Sequence, residues 1–158
     1  MDTSIAIIGL VLTILIALPI FYSIRSNSMN KSKIEKIKAE FSQNNRFKFE
    51  TTETLNKKVM ALDEKNKGFL LMDFNLKSEK NSFVDLKDIQ TSKLVVTKDN
   101  SGETITQIDL EFHYKENKKI KSVPFYKIEN DQMGQLCLYE DHQLAKKYKQ
   151  IIDNCISI

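Results

Sequence analysis

The feature that most constrains this chain is an uncharged apolar run from Ile5 to Ile24, which reads IAIIGLVLTILIALPIFYSI. A helix of this length, at 1.5 Å per residue, is about 30 Å long and matches the hydrocarbon core of a bilayer. Apolar residues surround the whole helix, whereas a helix on the surface of a soluble domain has a polar stripe. The run therefore predicts a transmembrane anchor over residues 1–25.

A cleavable signal peptide is the alternative interpretation of this run. Signal peptides begin with basic residues, have a shorter apolar core and end in a small-residue cleavage motif. The segment before the run has Asp2 as its only charged side chain. The best cleavage candidate, SNS at residues 26–28, lies beyond Arg25 and matches poorly. These features favour an anchor that is retained.

Basic residues after the run predict how the anchor is oriented. They are Arg25, Lys31, Lys33, Lys36 and Lys38, and no basic side chain precedes the span. Because positively charged flanks stay on the cytoplasmic side, we expect the N-terminus outside and the C-terminal domain in the cytoplasm, at the inner (cytoplasmic) membrane. The same residues are candidates for contact with anionic lipid, although setting the topology is the favoured role.

Small residues recur within the predicted span, at Gly9, Thr13 and Ala17. This four-residue spacing places them on one side of the helix, where they would let a second helix approach closely. A homodimer through the transmembrane helix is therefore one expectation. The alternative is that these residues have no special role, since small residues are common in membrane helices.

The rest of the chain divides into a linker and one domain. Residues 26–46 are expected to form a basic juxtamembrane linker with a short helix, because Ile34, Ile37 and Phe41 recur at helical spacing. From residue 47 to 158 the apolar spacing becomes strand-like, starting with Phe47 and Phe49. Turn signals separate the apolar runs and predict six or seven strands.

Two of these strands and the final helix have the clearest patterns. Residues 108–114 alternate apolar and polar side chains, which predicts a strand with one wet face. Pro124 lacks an N–H, so its strand is expected to lie at a sheet edge or to stop there. Residues 140–156 predict an amphipathic helix whose apolar face consists of Leu144, Tyr148, Ile151, Ile152, Cys155 and Ile156.

Three segments, KVMALDEKNKGFLLMDF, FVDLKDI and QLAKKYKQIID, resemble bacterial pleckstrin-homology-like domains, including membrane-tethered ones. The resemblance covers residues 47–156. It implies a curved β-sandwich or barrel closed at one end by the C-terminal helix. Together with the predicted N-terminal transmembrane helix, the six or seven strands and the final helix indicate an α+β fold. The resemblance implies no catalysis and supplies no site residue.

The sequence contains few side chains arranged for catalysis or metal binding. Asp109, Glu111 and His113 share one strand face, yet Lys119 and Lys121 are expected to neutralise the acids as cross-strand neighbours. We therefore expect a solvated face and neither a metal site nor any cofactor. The remaining candidates, each more consistent with a structural or surface role, are Lys57, Lys58, Cys137, His142 and Cys155.

The predicted function is a non-catalytic binding or scaffold module at the cytoplasmic face of the membrane, with a protein partner at an exposed sheet edge or beside the helix. The alternative is recognition of lipid headgroups through the basic stalk and loops, and an enzyme with an unrecognised site is the least favoured. Nucleic acid is not an expected partner, because the chain has only two arginines, Arg25 and Arg46, and no basic stripe.

Overall fold

A computed structural model of the chain describes residues 13, 31–74, 80–116, 118–128 and 137–157. The chain forms two compact units, Met1–Glu40 and Phe41–Ile158. Thr13 is helical, and residues 31–41 form a helix, α1, as the spacing predicts. The other residues of the predicted anchor lie outside the described part. Among the described residues, no helix combines the length and hydropathy that a membrane span requires.

The second unit is an α+β domain built from seven described strands and a C-terminal helix. Sheet A pairs its strands in the order β1-β2-β3-β4, and sheet B in the order β5-β6-β7, with every pair antiparallel. The bounds are β1 Thr51–Leu55, β2 Lys58–Asp63, β3 Gly68–Asp73, β4 Lys80–Asp85, β5 Ile89–Lys98, β6 Ile105–Tyr114, β7 Ile120–Lys127 and α2 Leu138–Ser157. A short 3-10 helix, Leu86–Asp88, joins the two sheets. Within the described residues neither sheet closes into a barrel, so the barrel form of the expectation is wrong.

The main core lies between the two sheets and α2. The ring of Phe69 on β3 lies 6.1 Å from that of Phe112, 6.4 Å from that of Phe125 and 5.7 Å from that of Tyr148, measured between centroids. These contacts bring sheet A, sheet B and α2 together in one cluster of buried side chains. Because aromatic side chains bury large areas, this cluster contributes strongly to the stability of the domain.

The structure confirms the strand β6, the edge position of β7 and the final helix, but the face of β6 that was predicted to be wet is partly covered, since Asp109 is 7% exposed. Ile108, Leu110 and Phe112 point into the core, and β7 is an edge strand. On α2 the predicted apolar face is buried, with Ile151 and Ile156 packed at its margin. An isolated helix of this length is marginal in water, so the packing of this face holds α2 in place.

Sheet A is also covered on its outer face, by residues 41–50, which we call the N-terminal strap. Phe47 and Phe49 were expected to open a strand, but residues 47–50 have no strand structure. Their rings instead pack 5.0 Å and 6.3 Å from the ring of Phe83 on β4. The Arg46 guanidinium lies 2.6 Å from the Asp85 carboxylate and fixes the same segment. The compact unit accordingly begins at Phe41, six residues before the boundary taken from the sequence.

A left-handed turn brings the strap onto the sheet. Gln43, Asn44 and Asn45 have φ values of 48°, 59° and 66°, which asparagine tolerates better than most residues. The Phe47 N–H donates to the carbonyl of Ser42 and closes the turn. After this turn the ring of Phe47 lies directly over Gly68.

We predict that Gly68→Ala destabilises the domain. The added Cβ would lie 2.5 Å from Cδ1 of Phe47, a ring held by its neighbours Phe49 and Phe83. Overpacking of this kind costs about 1–3 kcal/mol of unfolding free energy, measurable by urea denaturation. In a Phe47→Ala background the same change should cost little, because no ring opposes it. Equal costs in both backgrounds would contradict packing of the strap on β3.

Candidate functional site

The described strands leave four sheet edges, β1, β4, β5 and β7, and three of them are poor templates for an added strand. β7 contains Pro124, which has no N–H to donate, and a register shift interrupts its pairing with β6. On β4 the Phe83 carbonyl already accepts a hydrogen bond from Lys121 Nζ at 2.6 Å. β1 has only five residues, and its Glu53 pairs with Lys147 at 2.8 Å. β5 is the remaining edge.

β5 has the properties of a template for strand pairing. It is ten residues long, and its register against β6 is regular from Thr91 to Thr97. Leu94 and Val95 are half-buried, and Val96 is 37% exposed. An edge strand leaves a row of backbone N–H and C=O groups unpaired. This edge therefore combines open backbone groups with apolar side chains that a second strand would cover.

The final helix runs beside β5 and limits how a ligand can approach. α2 packs against β5, β6 and β7, most extensively against β5. The Ser92 hydroxyl donates to the carboxylate of Asp153 across this junction. Contact with α2 fixes the first half of β5, whereas Val96 lies in the second half. We call the segment from Thr91 to Thr97 the β5 edge.

Lys58 is not available to an external phosphate. Its Nζ lies 2.8 Å from Oδ2 of Asp141 at the start of α2, and the two side chains are 7% and 2% exposed. Asn56 Nδ2 donates to the other carboxylate oxygen at 3.1 Å. Lys57 is exposed in the adjacent turn with a φ of 58°. The pair joins β2 to α2, and sequence reasoning missed it because 83 residues separate the partners.

We predict that Asp141→Asn destabilises the domain strongly. The substitution leaves the Lys58 ammonium buried without a counter-charge, which typically costs about 3–5 kcal/mol. Replacing both residues, as Lys58→Met with Asp141→Leu, should recover most of that loss because no charge remains buried. Thermal melts of the three proteins make the comparison. A double variant no more stable than Asp141→Asn would show that the ion pair does not account for the loss.

The outward face of β6 does not form the neutralised row that was expected. The β7 register places Ser122 opposite Glu111, and Lys121 pairs with Phe112 on the inner face. Lys93 on β5 is the cross-strand neighbour of Glu111 instead. His113 Nε2 lies 3.7 Å from Glu111 Oε2. Among the described residues, no group of three or more His, Cys, Asp or Glu side chains is arranged to hold a metal ion.

The cysteines and His142 lie in environments that offer no activated group. Cys155 is buried, and burial raises the pKa of its thiol, which disfavours the nucleophilic thiolate. Cys137 is half-buried. His142 is half-buried as well, not a fully exposed surface residue, and burial together with Lys146 lowers its pKa.

The predicted anchor and topology residues are only partly described. Ile5, Gly9, Ala17, Ile24 and Arg25 lie outside the described residues, and Thr13 is helical. The remaining topology residues lie on α1: Lys31, Lys33 and Lys36 are exposed, and Lys38 is half-buried with Nζ 3.3 Å from Glu35 Oε1. Their predicted roles remain predictions.

No protein-family model, curated protein or solved structure matches this chain. The β5 edge is the candidate binding surface of the domain, because it is long, regular and partly apolar, and because α2 borders it. Its position at the edge of a sheet follows from strand order alone.

Proposed function

We propose that this protein is a non-catalytic, membrane-tethered binding module, and that its β5 edge pairs with an extended segment of a protein partner at the cytoplasmic face of the membrane. The observation that carries the proposal is the open, ten-residue β5 with Leu94, Val95 and Val96 partly exposed beside α2. Peptides that add a strand gain affinity from backbone hydrogen bonds and specificity from alternate side chains.

The proposed class is that of pleckstrin-homology-like domains. Its support is an arrangement of four and three antiparallel strands in two sheets, with a C-terminal helix packed against them. This agrees with the two-sheet form that the sequence resemblance implies. Since one fold serves many functions, the class does not name the partner, and the case for binding depends on the β5 edge.

The environments of three titratable groups in the domain favour binding without catalysis. Lys58 and Asp141 neutralise one another inside the structure. Burial holds Cys155 as a thiol through its raised pKa. Catalytic sites instead gather activated groups in a cleft open to substrate.

The tethering part of the proposal depends on residues 5–24. Full-length protein should remain in the membrane fraction after alkaline carbonate washing, because a twenty-residue apolar helix spans the bilayer. A shortened chain beginning at Phe41, the first residue of the compact domain, should appear in the soluble fraction. Immunoblots of both fractions give the result. Release of the full-length chain by the wash would contradict tethering through this segment.

Site-specific crosslinking tests the β5 edge. A photoreactive amino acid replacing Val96 in full-length protein, irradiated in its native membrane, should give a discrete crosslinked product. The matched control replaces Thr52, an exposed residue on the edge strand β1 of the other sheet, and should not give that product.

A second substitution shows whether the product depends on strand pairing. Val95→Lys places a charge on the edge, where it faces Asp109 across the strand pair and leaves the core residue Ile108 untouched. Charged side chains on an edge, lysine above all, discourage strand addition. The crosslink at position 96 should therefore fall at least several-fold. Equal products from positions 96 and 52, or a product that Val95→Lys leaves unchanged, would contradict the proposed mode.

A further inference from the structure

A short basic segment with an exposed isoleucine begins strand β7. It consists of Lys118, Lys119, Ile120 and Lys121, in the sequence KKIK. Lys118 and Lys119 are exposed, and Ile120 is 52% exposed on an edge strand. An apolar side chain between basic neighbours is the composition of surfaces that lie in the interface of a bilayer.

The charges of this segment are not neutralised by acids in the described part of the chain. No described carboxylate lies within 4.0 Å of Lys118, Lys119 or Lys121 Nζ. Lys119 Nζ lies 5.5 Å from the centre of the Tyr114 ring. Burial and the nearby Lys119 lower the pKa of Lys121, whose Nζ donates to the Phe83 carbonyl. The exposed charges of Lys118 and Lys119 are therefore available to an external anion, whereas Lys121 Nζ is engaged by the Phe83 carbonyl.

The basic segment lies at the end of the domain where the strap enters it. Arg46 of the strap lies 2.6 Å from Asp85, at the end of β4. The Lys115 N–H donates to the Asp88 carbonyl at 2.9 Å, just before the basic segment. Only the 3-10 helix separates Asp85 from β5. The strap, the 3-10 helix and the start of β7 thus share one end of the domain.

We propose that this end of the domain contacts an anionic bilayer, with Ile120 entering the interface and Lys118 and Lys119 meeting lipid phosphates. The inference extends the proposed function and rests on the proposed anchor, which would hold the domain beside the membrane. Each lysine near an anionic surface strengthens association about five-fold. A bilayer accounts for the exposed isoleucine, because its interface accommodates an apolar side chain. Binding of nucleic acid would require only the charge of the lysines.

The tether makes such a small surface effective. Sixteen residues separate Ile24 from Phe41, so even a fully extended connection keeps the domain within about 60 Å of the bilayer. A contact made by a linked module is intramolecular and forms at a high effective concentration. In an untethered domain, a few lysines and one isoleucine would bind the bilayer only weakly. Here they would orient a domain that the anchor already holds near the bilayer.

Tryptophan fluorescence tests the contact directly, because the chain has no tryptophan of its own. Full-length Ile120→Trp is reconstituted into vesicles of neutral lipid or of neutral lipid with about 30% phosphatidylglycerol, with brominated acyl chains as quenchers. The matched control is Tyr139→Trp, an exposed aromatic residue at the start of α2. Asp141, two residues further along α2, contacts Lys58 and lies near Tyr126, which is about 20 Å along β7 from Ile120.

The proposal expects quenching of the Ile120→Trp protein in anionic vesicles, weaker quenching in neutral vesicles, and little quenching of the Tyr139→Trp protein in either. Adding Lys118→Gln and Lys119→Gln should reduce the contact equilibrium about 25-fold, from five-fold per lysine. Circular dichroism checks that each variant is folded. Quenching at position 139 but not at position 120 would place the opposite end on the bilayer and overturn the proposal.

Two further outcomes separate this surface from the anchor and from other polyanions. Retention after carbonate washing without quenching at position 120 would overturn the lipid contact while leaving the anchor in place. Loss of retention with quenching preserved would reject the anchor and support the surface. If a soluble oligonucleotide shifts the emission of the Ile120→Trp protein as much as anionic vesicles do, the segment is a general polyanion site and the proposal is overturned.

Discussion

Burial of the β2–β3 hairpin on both faces is the constraint on which the rest of this domain depends. Phe69 on the inner face joins sheet B and α2, while Leu70 and Met72 on the outer face are equally buried. A sheet covered on both sides needs two layers around it. Sheet B and α2 form one layer. On the other side the N-terminal strap packs Phe47 over Gly68, next to these residues.

The position of α2 decides which surface remains for binding. The helix packs across sheet B, most extensively on β5, and the Lys58–Asp141 pair ties its first turn to β2. Because the pair is buried, either partner left alone would carry a desolvated charge. The helix is thereby fixed beside β5 without pairing with the backbone edge of that strand. Among the described strands none pairs with the outer side of β5, and α2 borders this edge on one side.

The two proposed surfaces follow from this arrangement and do not overlap. The β5 edge offers backbone groups and partly apolar side chains to a peptide, whereas the Lys118–Lys121 segment offers charge and one exposed isoleucine to a bilayer. They lie on the two outer strands of the same sheet, with β6 between them. Contact of one outer strand with lipid would leave the other outer strand accessible to a partner.

The sequence by itself determined the local elements, because apolar periodicity and turn residues act over a few positions. It predicted the alternation of β6, the edge position of β7 and the apolar face of α2. Strand order, the register shift beside Pro124, the Lys58–Asp141 pair and the placement of Phe47 on Gly68 required the tertiary structure. Each of these features depends on residues that are distant in the chain. Packing and the pairing of buried charges bring such residues together, and the local sequence contains no pattern that predicts the contact.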